Sequence, residues 1–235
     1  MRDQACVVIV GGTSGLGKEI ARHFAGQGYE VVISGRDARR SAAVAGEIGG
    51  RTRGVGFDLA QPAGIAAVFA DCSPVQHLVL AAIERDENNV RNYDVARAAR
   101  LATLKLVGYT EVIHVLTSRL GPESSIVLFG GEAKDKPYPG STMVTTVNAA
   151  VSGLVRTLVK ELAPIRINAI HPGIVGDSPY WSARPTAVEG ARSRTPTGRL
   201  ARTEDVVNAV VFLLTNPAVN GIDLPLDGGW HFMTW

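Results

Sequence analysis

Two cysteines in 235 residues exclude a disulfide framework. Cys6 sits in an apolar run and Cys72 near a loop, far apart and without metal-ligand spacing, so they read as reduced, buried thiols of a cytoplasmic protein, and no metal site is expected. No apolar run approaches the ~18 residues that a membrane helix needs. Met1-Arg2-Asp3-Gln4 leads into a strand without the apolar core of a signal peptide. Charge of one sign is missing as well: 24 Lys and Arg against 22 Asp and Glu leave a formal +2. With the arginines scattered rather than striped, neither nucleic acid nor a membrane surface is expected as a partner. Repeats, low-complexity tracts and linkers are also lacking, which leaves a single α/β domain over 1–235.

Glycine is plentiful, and one stretch concentrates it: Val10-Gly11-Gly12-Thr13-Ser14-Gly15-Leu16-Gly17. An apolar run precedes it, and Ile20, Ala21 and Phe24 recur after it at helical spacing, so the order is strand, glycine turn, helix. Gly11 allows the sharp turn, while Gly15 and Gly17 let a phosphate and the neighbouring strand come close to the backbone. The first N–H groups of the helix then face an anion. The β-branched run 29–34 is the second strand of the unit and ends in Gly35-Arg36-Asp37. An acidic side chain at that place binds the ribose 2′-hydroxyl of NAD, whereas an arginine accommodates the 2′-phosphate of NADP. Arg36 therefore favours NADP over NAD, and Asp37 is a further candidate for a ribose hydroxyl.

The pattern continues with a helix to residue 48, a strand over 52–57 ending at Asp58-Leu59, a helix over 62–70 and an apolar strand over 75–82. That last run is apolar nearly throughout, as parallel strands buried on both faces are. A polar loop over 84–92 precedes one long helix from 94 to about 119. Strands over 125–129 and 165–170 flank a second long helix, 142–162. Thr203-Glu204-Asp205 cap a helix reaching residue 214. A final strand over 222–226 belongs at a sheet edge because it contains Pro225. This alternation predicts a Rossmann-type, doubly wound three-layer sandwich with a mostly parallel seven-stranded sheet.

The chain resembles the short-chain dehydrogenase/reductase family over nearly its full length. The resemblance rests on the glycine loop, with Val10 where a threonine is usual, on Asp58-Leu59 and Ile126-Val127, and on the run from Glu161-Leu162-Ala163-Pro164 to His171-Pro172-Gly173. Pro196-Thr197-Gly198-Arg199, Glu204-Asp205-Val206, Gly221 and Asp227-Gly228-Gly229 complete it. It implies a nicotinamide cofactor, NADP by the argument from Arg36. Gly11, Thr13, Ser14, Gly15, Leu16 and Gly17 would hold its pyrophosphate, and Arg36, Asp58 and Leu59 its adenosine half, with Asp58 on the adenine amino group; Ala81 and Ala82 are further cofactor-binding positions. Pro172, Gly173, Ile174 and Val175 would meet the nicotinamide end. It also implies a small-molecule substrate under a lid at about 176–200. The Tyr180, Trp181, Arg184, Arg192 and Arg194 of that lid suit an aromatic or acidic compound. A homo-oligomer, dimer or tetramer, is implied through the two long helices and the C-terminal edge, where 230–235 is too apolar to hang free.

The catalytic pattern of the family is where this chain departs from it. Alignment puts Val144 at the tyrosine position, Asn148 at the lysine position four residues later, and Gly131 at the serine position. Leu80-Ala81-Ala82-Ile83 stands at the asparagine-rich turn, and Lys105 replaces a helical asparagine. A carbonyl that accepts hydride must also receive a proton, and valine has none to donate. Lys105 and Asn148 look exchanged, which keeps a cation near the nicotinamide. Lys105 with a pKa lowered by burial is then a candidate donor, against the plainer reading of a surface lysine. Tyr138, in the loop after the fifth strand, and His171, beside Pro172-Gly173, are further candidates, against a solvent-facing phenol and a strand-end histidine bonded to backbone. No Ser, His and Asp spacing forms a nucleophile elbow, so a hydrolase is not supported. Two functions stand: an NADP(H)-dependent oxidoreductase with non-standard proton delivery, or a silent NADP(H)-binding member acting as sensor, scaffold or oligomer partner.

Overall fold

Seven parallel strands run in the order β3-β2-β1-β4-β5-β6-β7 through the centre of the molecule. They are β1 Cys6–Val10, β2 Glu30–Gly35, β3 Arg51–Gly56, β4 Val75–Leu80, β5 Leu120–Phe129, β6 Arg166–Pro172 and β7 Asp223–Leu226. The computed structural model describes residues 6–233, so the expectations for 1–5, Thr234 and Trp235 fall outside the described residues. Every pairing is parallel, which sharpens the expected mostly parallel sheet.

Side chains alternate across a strand, so β1 supplies two cores at once. Cys6, Val8 and Val10 face one layer, and Val7 and Ile9 the other. The first layer holds α3 Ile65–Val68, α4 Val95–Ala102, α5 Tyr109–Leu116 and α6 Thr142–Glu161. The second holds α1 Gly15–Gly26, α2 Ala38–Ile48 and α9 Thr203–Thr215. Between β6 and α9 lie the short α7 Pro179–Ser182 and α8 Pro185–Arg192, within the expected lid. Among the described helices, α6 alone has the length and hydropathy of a membrane span, mean hydropathy 1.2. Its Val147, Val151, Val155 and Leu158 are buried in the protein core.

Several local expectations change. The helix over 62–70 is only a 3-10 turn, Pro62–Gly64, followed by one α turn. The helix over 94–119 is continuous but not uniform: Thr103–Gly108 between α4 and α5 is π-helical, and it contains Lys105. Gly108 lies against the backbone of Leu59, where an added Cβ would come within 2.3 Å of Leu59 O. Periodicity cannot reveal a widened turn, because a single π turn displaces the apolar stripe by about one residue. The helix that the Thr203-Glu204-Asp205 run was expected to cap takes Arg202 as its capping position instead. Arg202 N–H donates to Asp205 and Thr203 N–H to Asp177, 2.8 Å each. Cys6 and Cys72, distant in sequence, are free and buried in the same core layer.

Polar groups in β6 hold the edge of the sheet. Asn168 is fully buried; its Nδ2 donates to Val219 O at 3.1 Å and its Oδ1 accepts Ile222 N–H at 3.1 Å. Pro225 needs no N–H partner in β7, which is the outer strand. Replacing Asn168 by Ala strands both backbone groups, each worth ~1–3 kcal/mol when left unpaired in the interior. We expect Asn168→Ala to lower unfolding free energy by about 2–4 kcal/mol, read as a lowered urea midpoint with an unchanged slope.

Candidate active site

The sheet order reverses between β1 and β4, and a cleft of ≈ 830 Å³ opens at their C-terminal ends. Ligands bind at such a point in open α/β sheets because the flanking loops diverge there. All the residues expected at the cofactor, from Gly11 to Val175, line it. Gly11 has φ +88, and a Cβ on it would stand 2.6 Å from Ala82 N; one on Gly17 would stand 2.2 Å from Gly11 O. Gly15, at φ +53, faces open space. Ser14 makes no side-chain cap to α1, so the first N–H groups of that helix are not satisfied by their own N-cap. This cradle fits a dinucleotide pyrophosphate.

Beyond the glycine turn, Arg36 is joined in the cleft wall by Arg40, a second cation, from the first turn of α2. Asp37 is the N-cap of α2, accepting Arg39 and Arg40 N–H at 2.8 and 3.1 Å. Arg36 Nη1 donates to Glu84 at 3.1 Å, and Arg100 bridges Glu84 and Asp58 at 2.6 and 3.0 Å. Burial opposes ionisation of Asp58, but hydrogen bonds from Arg100 and Ala60 N–H outweigh it and hold the carboxyl below its ordinary pKa.

At the other end, Lys105 lines the cleft at 1% exposure. Its Nζ donates to Tyr109 Oη at 3.0 Å, and Tyr109 Oη donates to Ala82 O at 2.7 Å. Burial pushes the Lys105 pKa down to about 7. The plainer reading of a surface lysine therefore fails: the π-helical turn and the contact at Gly108 bring the residue inward. Asn148 and Val144 line the same cleft. Asn148 is 3% exposed, and its Oδ1 has no hydrogen-bond partner. A Cβ on Gly131 would come within 2.9 Å of Asn148 Nδ2, so the asparagine amide occupies space that a side chain at 131 would need. The side chains tolerated at 131 and 148 are thus sterically linked.

His171 does not join this group. It is fully buried, outside the cleft lining. Its Nδ1 accepts Gly131 N–H at 3.2 Å, which leaves Nε2–H to donate to Asp223 at 2.8 Å. With both ring nitrogens engaged and burial lowering its pKa, it is a structural tie between β5, β6 and β7 rather than a proton donor. Tyr138 lines the cleft but is half exposed, and burial of its ring raises the phenol pKa, which weakens it as an acid at neutral pH.

In the lid, Tyr180 and Trp181 reach the cleft, whereas Arg184, Arg192 and Arg194 do not line it. Arg192 pairs with Glu189, and Arg194 donates to Gly190 O. The arginine that lines the cleft beside Tyr180 is instead Arg85, whose guanidinium stacks 3.6 Å from the centre of the Tyr180 ring; Arg184 covers the ring at 3.8 Å. Arg85 and Tyr109 escaped sequence reasoning. The only signal for Tyr109 was its position four residues beyond Lys105, one helical turn away.

A family model described as enoyl-(acyl carrier protein) reductase matches residues 10–231. The chain is 30% identical over 234 residues to the protein of Mus musculus named 3-oxoacyl-[acyl-carrier-protein] reductase, over 97% of this chain and 98% of that one. Among solved structures it is similar to a short chain dehydrogenase/reductase family protein, with TM-score 0.88 and 30% identity over 99% of this chain and 100% of the other. It is also similar to the MalC reductase/Diels-Alderase of Malbranchea aurantiaca, with TM-score 0.88 and 25% identity over 97% and 95%.

Burial of Lys105 has a consequence for stability. Its folded pKa of about 7 lies below the ordinary 10.5, so the folded chain binds fewer protons between those values and stability rises with pH across them. The penalty is fully present below about 7. Urea unfolding of wild type at pH 6.5 and 9.5 is expected to show a gain at the higher pH, on the order of a few kcal/mol. Lys105→Met should lack that gain.

Proposed function

The chain belongs to the short-chain dehydrogenase/reductase family, and on that premise we propose that it is an NADP(H)-dependent ketoreductase in which Lys105 supplies the proton that the family's tyrosine supplies elsewhere. It is an oxidoreductase of that family. The observation that carries the reading is the buried Lys105 ammonium in the cleft, fixed by Tyr109 and titrating near neutrality. The name of the mouse relative supports a ketone as the reducible group.

Bound NADPH supplies the hydride. The glycine loop and the first turn of α1 would hold the pyrophosphate, Arg36 and Arg40 the 2′-phosphate, Asp58 the adenine, and the stretch from Pro172 to Val175 the nicotinamide end. Tyr109 accepts from Lys105 Nζ and donates its own hydroxyl hydrogen bond to Ala82 O, so the ammonium is held by a group that lies outside the cleft lining. As negative charge develops on the substrate oxygen, Lys105 stabilises it and donates a proton, a role worth ~10²–10⁴ in rate. Asn148 Oδ1 accepts a hydroxyl of ribose or substrate, which answers its missing partner. Arg85 with Tyr180 and Trp181 suits a small ketone carrying an aromatic or acidic group. Val144 leaves no competing acid at the tyrosine position.

We place the enzyme in the cytoplasm as a dimer or tetramer, without nucleic-acid or membrane partners. Support comes from the balanced charge and from the exposed Val95 and Val107 along the helical stretch containing α4, with Phe212 and Phe232 towards the C-terminal side.

Two experiments test the catalytic reading. Wild-type kcat/KM with NADPH and a panel of ketones, quinones and imines is expected to fall as pH rises through about 7, where Lys105 loses its proton. Lys105→Met should bind NADPH as tightly, lose ~10²–10⁴ in kcat and lack that inflection. Unchanged turnover would remove Lys105 from the mechanism, and tight binding without oxidation by any substrate would make the chain a silent binder. By fluorescence titration, Arg36→Ala with Arg40→Ala should weaken NADPH at least about tenfold, the equivalent of ~1.4 kcal/mol, and leave NADH nearly unchanged. Equal losses for both nucleotides would contradict the assignment of NADP.

A further inference from the structure

We propose that Glu132, Asp227 and His231 form a divalent-cation site for an ion of the Mn²⁺ or Zn²⁺ class, tying the loop after β5 to the C-terminal turn. This inference does not depend on the ketoreductase reading.

Glu132 is 2% exposed, and neither of its carboxylate oxygens has a hydrogen-bond partner. Such a group is costly to bury and native proteins rarely leave one unanswered. The charged groups that act on it most are the other two members of the cluster, with Asp135 and Lys134 beyond them. Asp227, 6% exposed, is held rigidly: it accepts Gly229 N–H at 2.9 Å and His231 N–H at 2.7 Å. His231 Nδ1 stands 2.8 Å from Asp227 Oδ2 and 3.9 Å from Glu132 Oε2. One donor atom from each residue lies within 4.8 Å of the others.

Those separations match the chemistry. Oxygen and imidazole ligands sit ~2.0–2.2 Å from a transition-metal dication, so two ligands of one ion stand no more than about 4.4 Å apart. The two measured distances fall inside that limit, and a small rotation of the Glu132 side chain closes the third. Two carboxylates and a neutral imidazole carry two negative charges, which a dication neutralises. The donor set contains no thiolate, which favours Mn²⁺ or Zn²⁺ over softer ions, and its imidazole favours them over Mg²⁺.

The site joins segments nearly a hundred residues apart in sequence. Glu132 lies in the loop that borders the substrate end of the cleft, while Asp227 and His231 belong to the turn after β7. Lys136 from the same loop donates to Trp230 O and Met233 O, so the loop and the turn are already in contact around the cluster. A bound ion would lock that wall of the cleft.

The test uses the full chain, stripped with EDTA and dialysed, and titrated calorimetrically with MnCl₂ or ZnCl₂. One ion per chain is expected, with a thermal midpoint raised by several degrees at saturation. Glu132→Gln, nearly isosteric, should weaken binding at least tenfold and abolish the midpoint shift. His231→Gln should do the same, and serves as the second variant if Glu132→Gln does not fold as judged by circular dichroism. Absence of saturable binding to wild type up to about 1 mM metal would overturn the proposal. So would equal affinity in wild type and variants, or a metal-insensitive wild type that Glu132→Gln stabilises, which would identify a proton shared between two carboxyls.

Discussion

The contact between the glycine turn and the end of β4 is the constraint on which the molecule's function rests. Gly11 packs its Cα against the backbone of Ala81 and Ala82, and Gly17 packs against the carbonyl of Gly11. No Cβ fits at either place. These approaches draw β1, β4 and the start of α1 together at the point where the sheet changes direction, and the cleft is what their diverging loops leave open. The same Ala82 whose N–H side faces Gly11 offers its carbonyl to Tyr109, and Tyr109 holds Lys105. Cofactor cradle and candidate acid are thus anchored to one residue of backbone.

Burying an ammonium carries a penalty, and the fold meets only part of it. Lys105 receives one phenol oxygen and no carboxylate among its described partners, so desolvation dominates and the amine titrates near neutrality. A lysine placed only for structure would be better served by a carboxylate. Poising an acid at working pH in a cleft is a recurrent reason for tolerating such a cost. Asn148 of α6 lines the same cleft, and its amide fills the space beside Gly131. The residues at 131 and 148 are therefore fitted to each other in volume, while Lys105 meets the same cleft from the π-helical turn.

Much of this was legible beforehand, for identifiable reasons. The glycine loop, Arg36, Asp58 and the run Pro172-Gly173-Ile174-Val175 are local signals, each a strand end followed by a turn, and they converge because parallel strands all deliver their C-termini to one edge. That Lys105 and Asn148 line the cleft follows the register expected for them from the resemblance. His171 misled because strand register gave its place but not its direction: its ring turns away from the cleft to meet Gly131 N–H and Asp223. The lid arginines misled similarly, since composition counted their charges while Arg85, on a different loop, has the cation that stacks on Tyr180.

The amino-acid order by itself determined the alternation of strands and helices, the parallel sheet and the glycine turn at the mouth of the cleft, since these follow from apolar period and from glycines that admit no Cβ. The tertiary structure alone decided what surrounds each polar side chain. The π-helical turn that buries Lys105 and the meeting of Glu132 with Asp227 and His231 across almost a hundred residues arise from packing of distant segments. Desolvation and pairing, which set protonation and ligand affinity, act through distance in space. Spacing along a chain carries little of that information.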